Sequence, residues 1–385
     1  MTQPLAGIRI ADFSHVMAGP YASHLLQLMG AEVIKIESPR GDAFRSYGAD
    51  RRYDGLSPAF MAANAGKKSI VLDLKDAADL DVARRIVARS DVLLENFRPG
   101  VIARLGLSYA AACDLRPDII YCSVSGYGQK SPQRDWPAID NIVQATSGMM
   151  MLSGEEGDPP VRVGFPIVDT LTGQTAALAI LSALVRRMQG AGGSFIDVSM
   201  FDASLAFMTS ALTPYLVTGQ AMSRMGNTGY SGLPTASLFT TLDGRQVSLG
   251  VVQPNQFDAL ARYVGRQDWL ENPLFATPEA RRANFDAMKV ELEAVMATRT
   301  AQEWESGLSA AGIPCGMVRR VDEAAALAGE DALLSVMVEG LPNDAPVRLP
   351  GTGFHMEPGH VATDAPPRLD QHRDEILAWL DEAAP

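Results

Sequence analysis

The stretch Ile8-Arg9-Ile10-Ala11-Asp12-Phe13-Ser14-His15-Val16-Met17-Ala18-Gly19-Pro20 decides the fold. Its first six residues are a short apolar run that reads as a buried strand, and Ser14–Pro20 reads as a turn. Tyr21–Met29 then carries a helical pattern, and Val33–Ile36 reads as a second strand ending in Glu37. The same rhythm continues with strands at Ser69–Leu74, Val92–Glu95 and Ile119–Ser125 and a helix across Ala77–Arg89. Short apolar runs alternating with helical patterns imply βαβ units, hence an α/β fold with a mostly parallel sheet. Ligands of such sheets bind beyond the carboxyl ends of the strands, so the loops after Phe13, Glu95 and Ser125 are where a site is expected.

Further along, Asp169 introduces an Ala-rich helix containing Ala176, Ala177, Ala179 and Ala183. Ser194–Ser199 reads as a strand and Phe201–Leu216 as a long apolar helix. The character changes at the glycine-rich loop Gly226-Asn227-Thr228-Gly229-Tyr230-Ser231-Gly232. Strand patterns at Ala236–Thr241 and Gln246–Val251 flank Asp243-Gly244, a hairpin signal. Helices are expected near Gln256–Val264, Arg282–Thr298 and Ala301–Ala311, and a last one near Asp374–Trp379. The chain is therefore read as a large domain of residues 1–224 and 331–385 and a smaller α+β domain of residues 225–330.

A chain of 385 residues, 47 % hydrophobic and 20 % charged, has the makings of two globular domains. No apolar run reaches the ~18 residues of a membrane span, so no transmembrane helix is expected, and the start lacks the pattern of a signal peptide. Cys113, Cys122 and Cys315 are scattered, which suits a reducing cytoplasm rather than a disulfide framework. The five histidines form no ligand cluster, so no metal is expected. The net charge of −12 argues against nucleic-acid and anionic-membrane partners. That charge is uneven. Residues 1–105 hold 14 Lys+Arg against 12 Asp+Glu, while the remainder holds 19 against 33, so the first quarter best tolerates an anionic ligand. Neither a G-x-G-x-x-G after the first strand nor a P-loop nor a G-x-S-x-G elbow is present, which disfavours nicotinamide, P-loop and serine-hydrolase chemistry.

Asp169 stands at the junction of an apolar segment and a helix. A carboxylate there is expected to stay ionised at neutral pH, where it either caps the helix or attacks an acyl group. Around it, many separate motifs occur in one order. They include Leu5–Phe13 with Ala18-Gly19-Pro20, Gly30–Glu37, Asn64 with Lys67-Lys68-Ser69-Ile70, and Glu95-Asn96-Phe97-Arg98-Pro99-Gly100. Ser125-Gly126-Tyr127-Gly128, Gln144-Ala145 with Gly148, the segment Gly164–Gly173, Trp304, Gly312-Ile313-Pro314 and Ala365-Pro366-Pro367 with Gln371-His372 follow. In this order they resemble the class III CoA-transferase family (formyl-CoA transferase, CaiB/BaiF type) along essentially the whole chain.

The resemblance implies a Rossmann-like large domain built from both chain ends, an interlocked homodimer, and acyl-CoA and carboxylic acid as substrates with no tightly bound cofactor. It makes Asp169 the nucleophile of a covalent aspartyl-CoA route. It makes His15, Val16, Ala18, Lys75, Asn96, Phe97 and Arg104 the CoA contacts. Gly226, Gly229 and Gly232 are candidates for a lid or oxyanion loop, although Tyr230 and Ser231 interrupt the longer glycine run of relatives. Ser38 replaces a basic residue frequent in relatives, and Arg40 or Arg45 is expected to supply that charge. Arg134 or Arg162 would hold a second carboxylate, with succinyl-CoA as donor to a small dicarboxylate. Two alternatives remain: an acyl-CoA isomerase or racemase of the same fold, and a non-catalytic CoA-binding protein. The related racemases use a His-Asp pair where this chain has Ile139-Asp140, and Ile139 cannot move a proton.

Overall fold

The computed structural model describes residues 3–48, 51–53, 55–329, 332–341, 346–356 and 363–382. Six strands form one parallel sheet: β1 (Arg9–Asp12), β2 (Glu32–Glu37), β3 (Lys68–Val71), β4 (Val92–Glu95), β5 (Ile120–Ser125) and β6 (Ser194–Ser199). Their order is β3-β2-β1-β4-β5-β6, the doubly wound arrangement, with its switch point between β1 and β4. Ala11 pairs with Ile34 on one side and Leu93 on the other. The carboxyl ends of β1 and β4 therefore diverge into two loops, Ser14–Met17 and Asn96–Gly100, which border one crevice.

Alternate residues of each strand face opposite layers. Ile10, Val33, Leu94 and Cys122 pack with helix α1 (Ala18–Leu28) and with a long helix across Ile167–Met188. Ala11, Ile34, Leu93 and Tyr121 face the other way, toward the helix Ala77–Ala88 and toward Ile376 and Leu380 of the helix Arg373–Asp381. The C-terminal segment thus completes the sheet's second face, and the His372 amide donates to the Ser69 carbonyl at 3.0 Å beside β3. A hairpin of Leu333–Val336 and Val347–Pro350 packs on Leu56, Phe60 and Met61.

The described chain divides into two compact units. The first comprises Met1–Met149, Arg162–Gln220 and Gly329–Pro385; the second comprises Met150–Val161 and Ala221–Ala328. The sequence reading kept all of 1–224 in the large domain, but Met150–Val161 groups with the second unit. Arg224 holds it there, donating to the carbonyls of Ser153, Asp158 and Pro159. In that unit an antiparallel sheet of Leu238–Thr240, Gln246–Leu249 and Cys315–Met317 is covered by helices around buried Trp269 and Trp304.

Two expected helices are interrupted. Phe201–Leu216 is two helices, Met200–Phe207 and Thr209–Thr218, meeting at Met208. Arg282–Thr298 is a short helix Pro278–Ala283 followed by Phe285–Met296. Ile167–Met188 is long and apolar enough to cross a bilayer by length and composition, where the sequence reading expected no such helix. Half of its most apolar window is buried against α1 and the sheet, as in a core helix.

Gly173 lets that helix approach α1. A Cβ at this position would lie 2.7 Å from the Ala18 carbonyl oxygen. Gly173→Ala is expected to push the helices apart and destabilise the first unit by about 1–3 kcal/mol. Denaturant unfolding compared with Gly316→Ala, where a Cβ meets nothing within 4 Å, measures the difference.

Candidate active site

Asp169 lies in the first turn of the helix Ile167–Met188, here called α3; the short helix Asp140–Thr146 is α2. The residue before α3 is Pro166, which has no polar side chain to cap it. Asp140 supplies the cap from α2. Its Oδ2 accepts from the amides of Val168 at 2.7 Å and Asp169 at 3.1 Å. Its Oδ1 accepts from Gln144 Nε2 at 2.6 Å, and Gln144 Oε1 accepts from the Val163 amide at 2.9 Å. Val168 and Leu171 anchor this corner beneath Val143 and Met149.

The Asp169 carboxylate accepts no hydrogen bond from any described residue. Burial, and then the Asp140 charge, push its pKa up to about 7. The expectation of an aspartate fully ionised at neutral pH is therefore corrected. The helix amides that would favour its charge are bonded to Asp140, which also repels it. Sequence reasoning noted Asp140 only as the neighbour of Ile139. The missing cap residue at Pro166 was the available signal that another acid had to reach these amides.

The loop after β1 is held by a buried polar cluster at the end of the strand. Asp12 is buried, and its carboxylate accepts from the Ser14 amide and hydroxyl, from Ser23 Oγ at 2.6 Å and from Lys67 Nζ at 3.1 Å. Burial raises the pKa of Asp12, but Lys67, Lys35 and the two hydroxyls outweigh it and hold it below the usual range. Burial lowers that of Lys67 to about 8 despite Asp12. Lys35 donates to the Ser14 carbonyl and to Asp42 Oδ2, both at 2.9 Å.

Five of the sequence-predicted contacts come together here. The Asn96 side chain grips the peptide units of His15, its Oδ1 accepting from the His15 amide at 2.9 Å and its Nδ2 donating to the His15 carbonyl at 2.8 Å. The rings of His15 and Phe97 are 5.5 Å apart. Val16 follows in left-handed backbone, and Ala18 opens α1 against Gly173. The His15 imidazole has an exposed surface, yet crowding by its neighbours lowers its pKa, only partly offset by Asp42. It is therefore neutral at pH 7, which suits binding rather than a cationic role.

Lys75 and Arg104 stand apart from this cluster, Lys75 beyond β3 and Arg104 closing the short helix Val101–Arg104. Both are exposed, and neither side chain forms an ion pair with a described residue. Arg45 is not a free cation. It is buried, pairs with Glu37 at 2.6 Å, and donates to the Pro367 carbonyl at 3.0 Å. Arg40 remains exposed. Arg134 lies 3.5 Å from Asp135, and Arg162 is exposed. Gly226 and Gly232 have positive φ, and Gly229 donates its amide to Ala236 at 2.8 Å within the second unit. Among the described residues no group of His, Cys, Asp and Glu could hold a metal ion.

The fold and site thus define an α/β protein of doubly wound class, with an Asn96-braced loop at its switch point and a poorly solvated carboxylate at the head of α3. The chain belongs to CoA-transferase family III, which matches residues 5–373. It is 38 % identical over 377 residues to the acetyl-CoA:oxalate CoA-transferase of Acetobacter aceti, covering 96 % of this chain and 93 % of that one. It is 34 % identical over 392 residues to the succinate–glutarate CoA-transferase of Agrobacterium fabrum, covering 98 % and 96 %. The crystal structure of a CaiB/BaiF family protein from Brucella suis superposes with a TM-score of 0.88 at 29 % identity, covering 99 % of this chain and all of that one. The chain is thus a family III CoA-transferase, and CoA thioesters are the substrates of its family.

The raised pKa of Asp169 has a consequence for stability. The folded chain holds this proton more tightly than the unfolded chain, whose aspartates titrate near 3.8. The ionised side chain therefore weakens the fold fully above pH about 7 and not at all well below 3.8. Asp169→Asn is expected to stabilise the protein at pH 8 by about 1–3 kcal/mol, a gain that fades toward pH ~4. Denaturant midpoints at the two pH values decide; no gain at pH 8 would mean that the carboxylate is well solvated.

Proposed function

We propose that this CoA-transferase moves CoA from an acyl-CoA donor to a small dicarboxylate through a covalent intermediate on Asp169, with succinyl-CoA as donor. The observation that carries the reading is the state of Asp169. It is half-buried, lacks hydrogen bonds from described residues, and is relieved of capping by Asp140. A poorly solvated carboxylate is a stronger nucleophile than a hydrated one.

Asp169 attacks the thioester carbonyl and expels CoA thiolate, leaving a mixed anhydride. The thiolate attacks the aspartyl carbonyl, releasing the donor acid and giving an aspartyl-CoA thioester. The acceptor carboxylate then attacks that carbonyl, forming a second anhydride and freeing the thiolate again. Attack of the thiolate on the acceptor's acyl carbon yields the new CoA ester and restores Asp169. Each step exchanges one acyl bond for another, so neither ATP nor a metal is needed.

His15, Val16, Ala18, Asn96 and Phe97 would border the CoA, and the free cations Lys75 and Arg104 suit its phosphates. The Gly226, Gly229 and Gly232 loop is proposed to exclude water from the anhydrides. The dicarboxylate assignment is supported by the Acetobacter and Agrobacterium relatives, whose names carry oxalate, succinate and glutarate. We further infer a cytoplasmic enzyme and an interlocked homodimer. Exposed Leu178, Val185 and Met188 on α3 and exposed Phe207, Leu216 and Val217 support the latter.

Racemisation would need a second acid or base beside Asp169. Ile139 cannot be one, and both Asp140 oxygens are engaged.

Mass spectrometry during turnover of succinyl-CoA with glutarate or oxalate, with hydroxylamine trapping, is expected to label Asp169; Asp169→Ala should lose transfer but bind CoA. Label elsewhere, or undiminished turnover, would remove the covalent route.

The pH profile offers a second test. The reaction needs ionised Asp169, so kcat should fall as pH drops through about 7. Asp140→Asn keeps an acceptor for the helix amides but removes the repelling charge, so that limb should move to lower pH. Glu95, pushed by burial to about 7 as well, is the control, and Glu95→Gln should leave the limb in place.

A further inference from the structure

Among the described residues only Val16 and Asp370 combine a side chain with positive φ, and Val16 is β-branched at φ 69°. Left-handed backbone is strained for such a residue, and strain of this kind persists only where its surroundings over-determine it. The surroundings are specific. The Val16 amide donates to both carboxylate oxygens of Asp42 at 3.1 Å. Asp42 also accepts from the Phe44 amide at 2.9 Å and from Lys35 Nζ at 2.9 Å. The Lys35 and Asp42 side chains are essentially inaccessible, 0 % and 1 % exposed. Lys35 in turn fixes the Ser14 carbonyl, two residues before Val16. The Asp42 amide is itself held by Glu37 Oε2 at 3.0 Å, so the acceptor cannot drift.

The turn at Val16 sets the course of the loop on both sides. Before it, the peptide units of His15 face Asn96 across the switch point. After it, Ala18 enters α1 close against Gly173, one helical turn beyond Asp169. Released to an ordinary conformation, Val16 would redirect one of these two neighbours.

We propose that Asp42 is a positioning residue for the CoA thioester: its carboxylate, anchored on Lys35, holds Val16 left-handed and so presets the β1 loop in the shape that receives the ligand. This rests on the reading that CoA lies along His15–Ala18. Presetting matters because a loop that must be ordered on binding subtracts that ordering from affinity.

The test must avoid stranding a buried charge, since breaking such a pair is far more damaging than replacing it with apolar groups. Lys35→Met with Asp42→Leu removes both charges. Calorimetry with free coenzyme A is expected to show binding weakened about tenfold, the scale of one strained backbone position. Adding Val16→Gly, which occupies the left-handed region freely, is expected to recover at least about threefold of the loss without restoring the melting temperature. A purely structural role would change the melting temperature and leave CoA affinity alone, and that result overturns the proposal. So does a failure of glycine to rescue.

A crystal structure of the double variant separates two failures. Val16 still left-handed means that Asp42 does not hold it. Val16 released with CoA affinity unchanged means that CoA does not meet this loop, which refutes the underlying reading instead. Should the double variant not fold, Lys35→Met with Asp42→Asn, which strands no charge and keeps one acceptor oxygen, is expected to weaken CoA binding about threefold, and unchanged affinity again overturns the proposal.

Discussion

Two ammonium groups, Lys35 and Lys67, sit fully buried on strand β2 and just before β3, and the end of the sheet depends on their neutralisation. Asp42 meets the first and Asp12 the second. Removing either acid alone would leave an uncompensated interior charge, a loss of about 3–5 kcal/mol. Such pairs contribute little net stability over apolar packing, so geometry is the better account of them. Each ammonium also donates to a backbone carbonyl of the β1 loop or of α1, Ser14 for Lys35 and Pro20 for Lys67. The ion pairs thereby convert the sheet's rigidity into a fixed loop path at the switch point.

A like arrangement with opposite sign stands at the head of α3. Asp140 satisfies amides that an isolated helix end would leave bare, and in doing so it denies them to Asp169. One acid stabilises the fold while the other is kept uncomfortable by it. That division separates two roles that a single aspartate at a helix start would otherwise have to share, capping and reaction.

The central sheet was readable because its inner strands are buried on both faces and appear as apolar runs, as at Val92–Glu95, while the half-exposed edge strand Ser194–Ser199 shows alternation; the bounds of both match residue for residue. The interruption at Met208 was not readable, since the hydropathy of Phe201–Leu216 is continuous across it. Asp169, His15 and Asn96 could be named from motif order. The work of Asp140 and Asp42 could not, because it is done across 29 and 26 positions of sequence and exists only once the elements have docked. Arg45 looked like a surface cation for the same reason; its partner Glu37 and its acceptor Pro367 are tertiary neighbours. Ser153–Pro160 is an acidic, Gly/Pro-rich run that marks a loop, but the attachment of Met150–Val161 through Arg224 to a distant segment is likewise invisible along the chain.

The docking of the helix Arg373–Asp381 on the sheet bears on biosynthesis. Arg85 and Arg89, near the end of the helix Ala77–Ala88, donate to the carbonyls of Leu380 and Trp379, nearly 300 positions away. The outer edge of the sheet at β3 is covered by residues made about 300 positions later. A nascent chain emerging from the ribosome therefore carries an unfinished apolar face while those intervening positions are made, and the second unit, contiguous apart from one short excursion, can close earlier. Loops that span such distances close slowly, so this enzyme's exposure to aggregation and chaperone capture is written into the path of its own backbone.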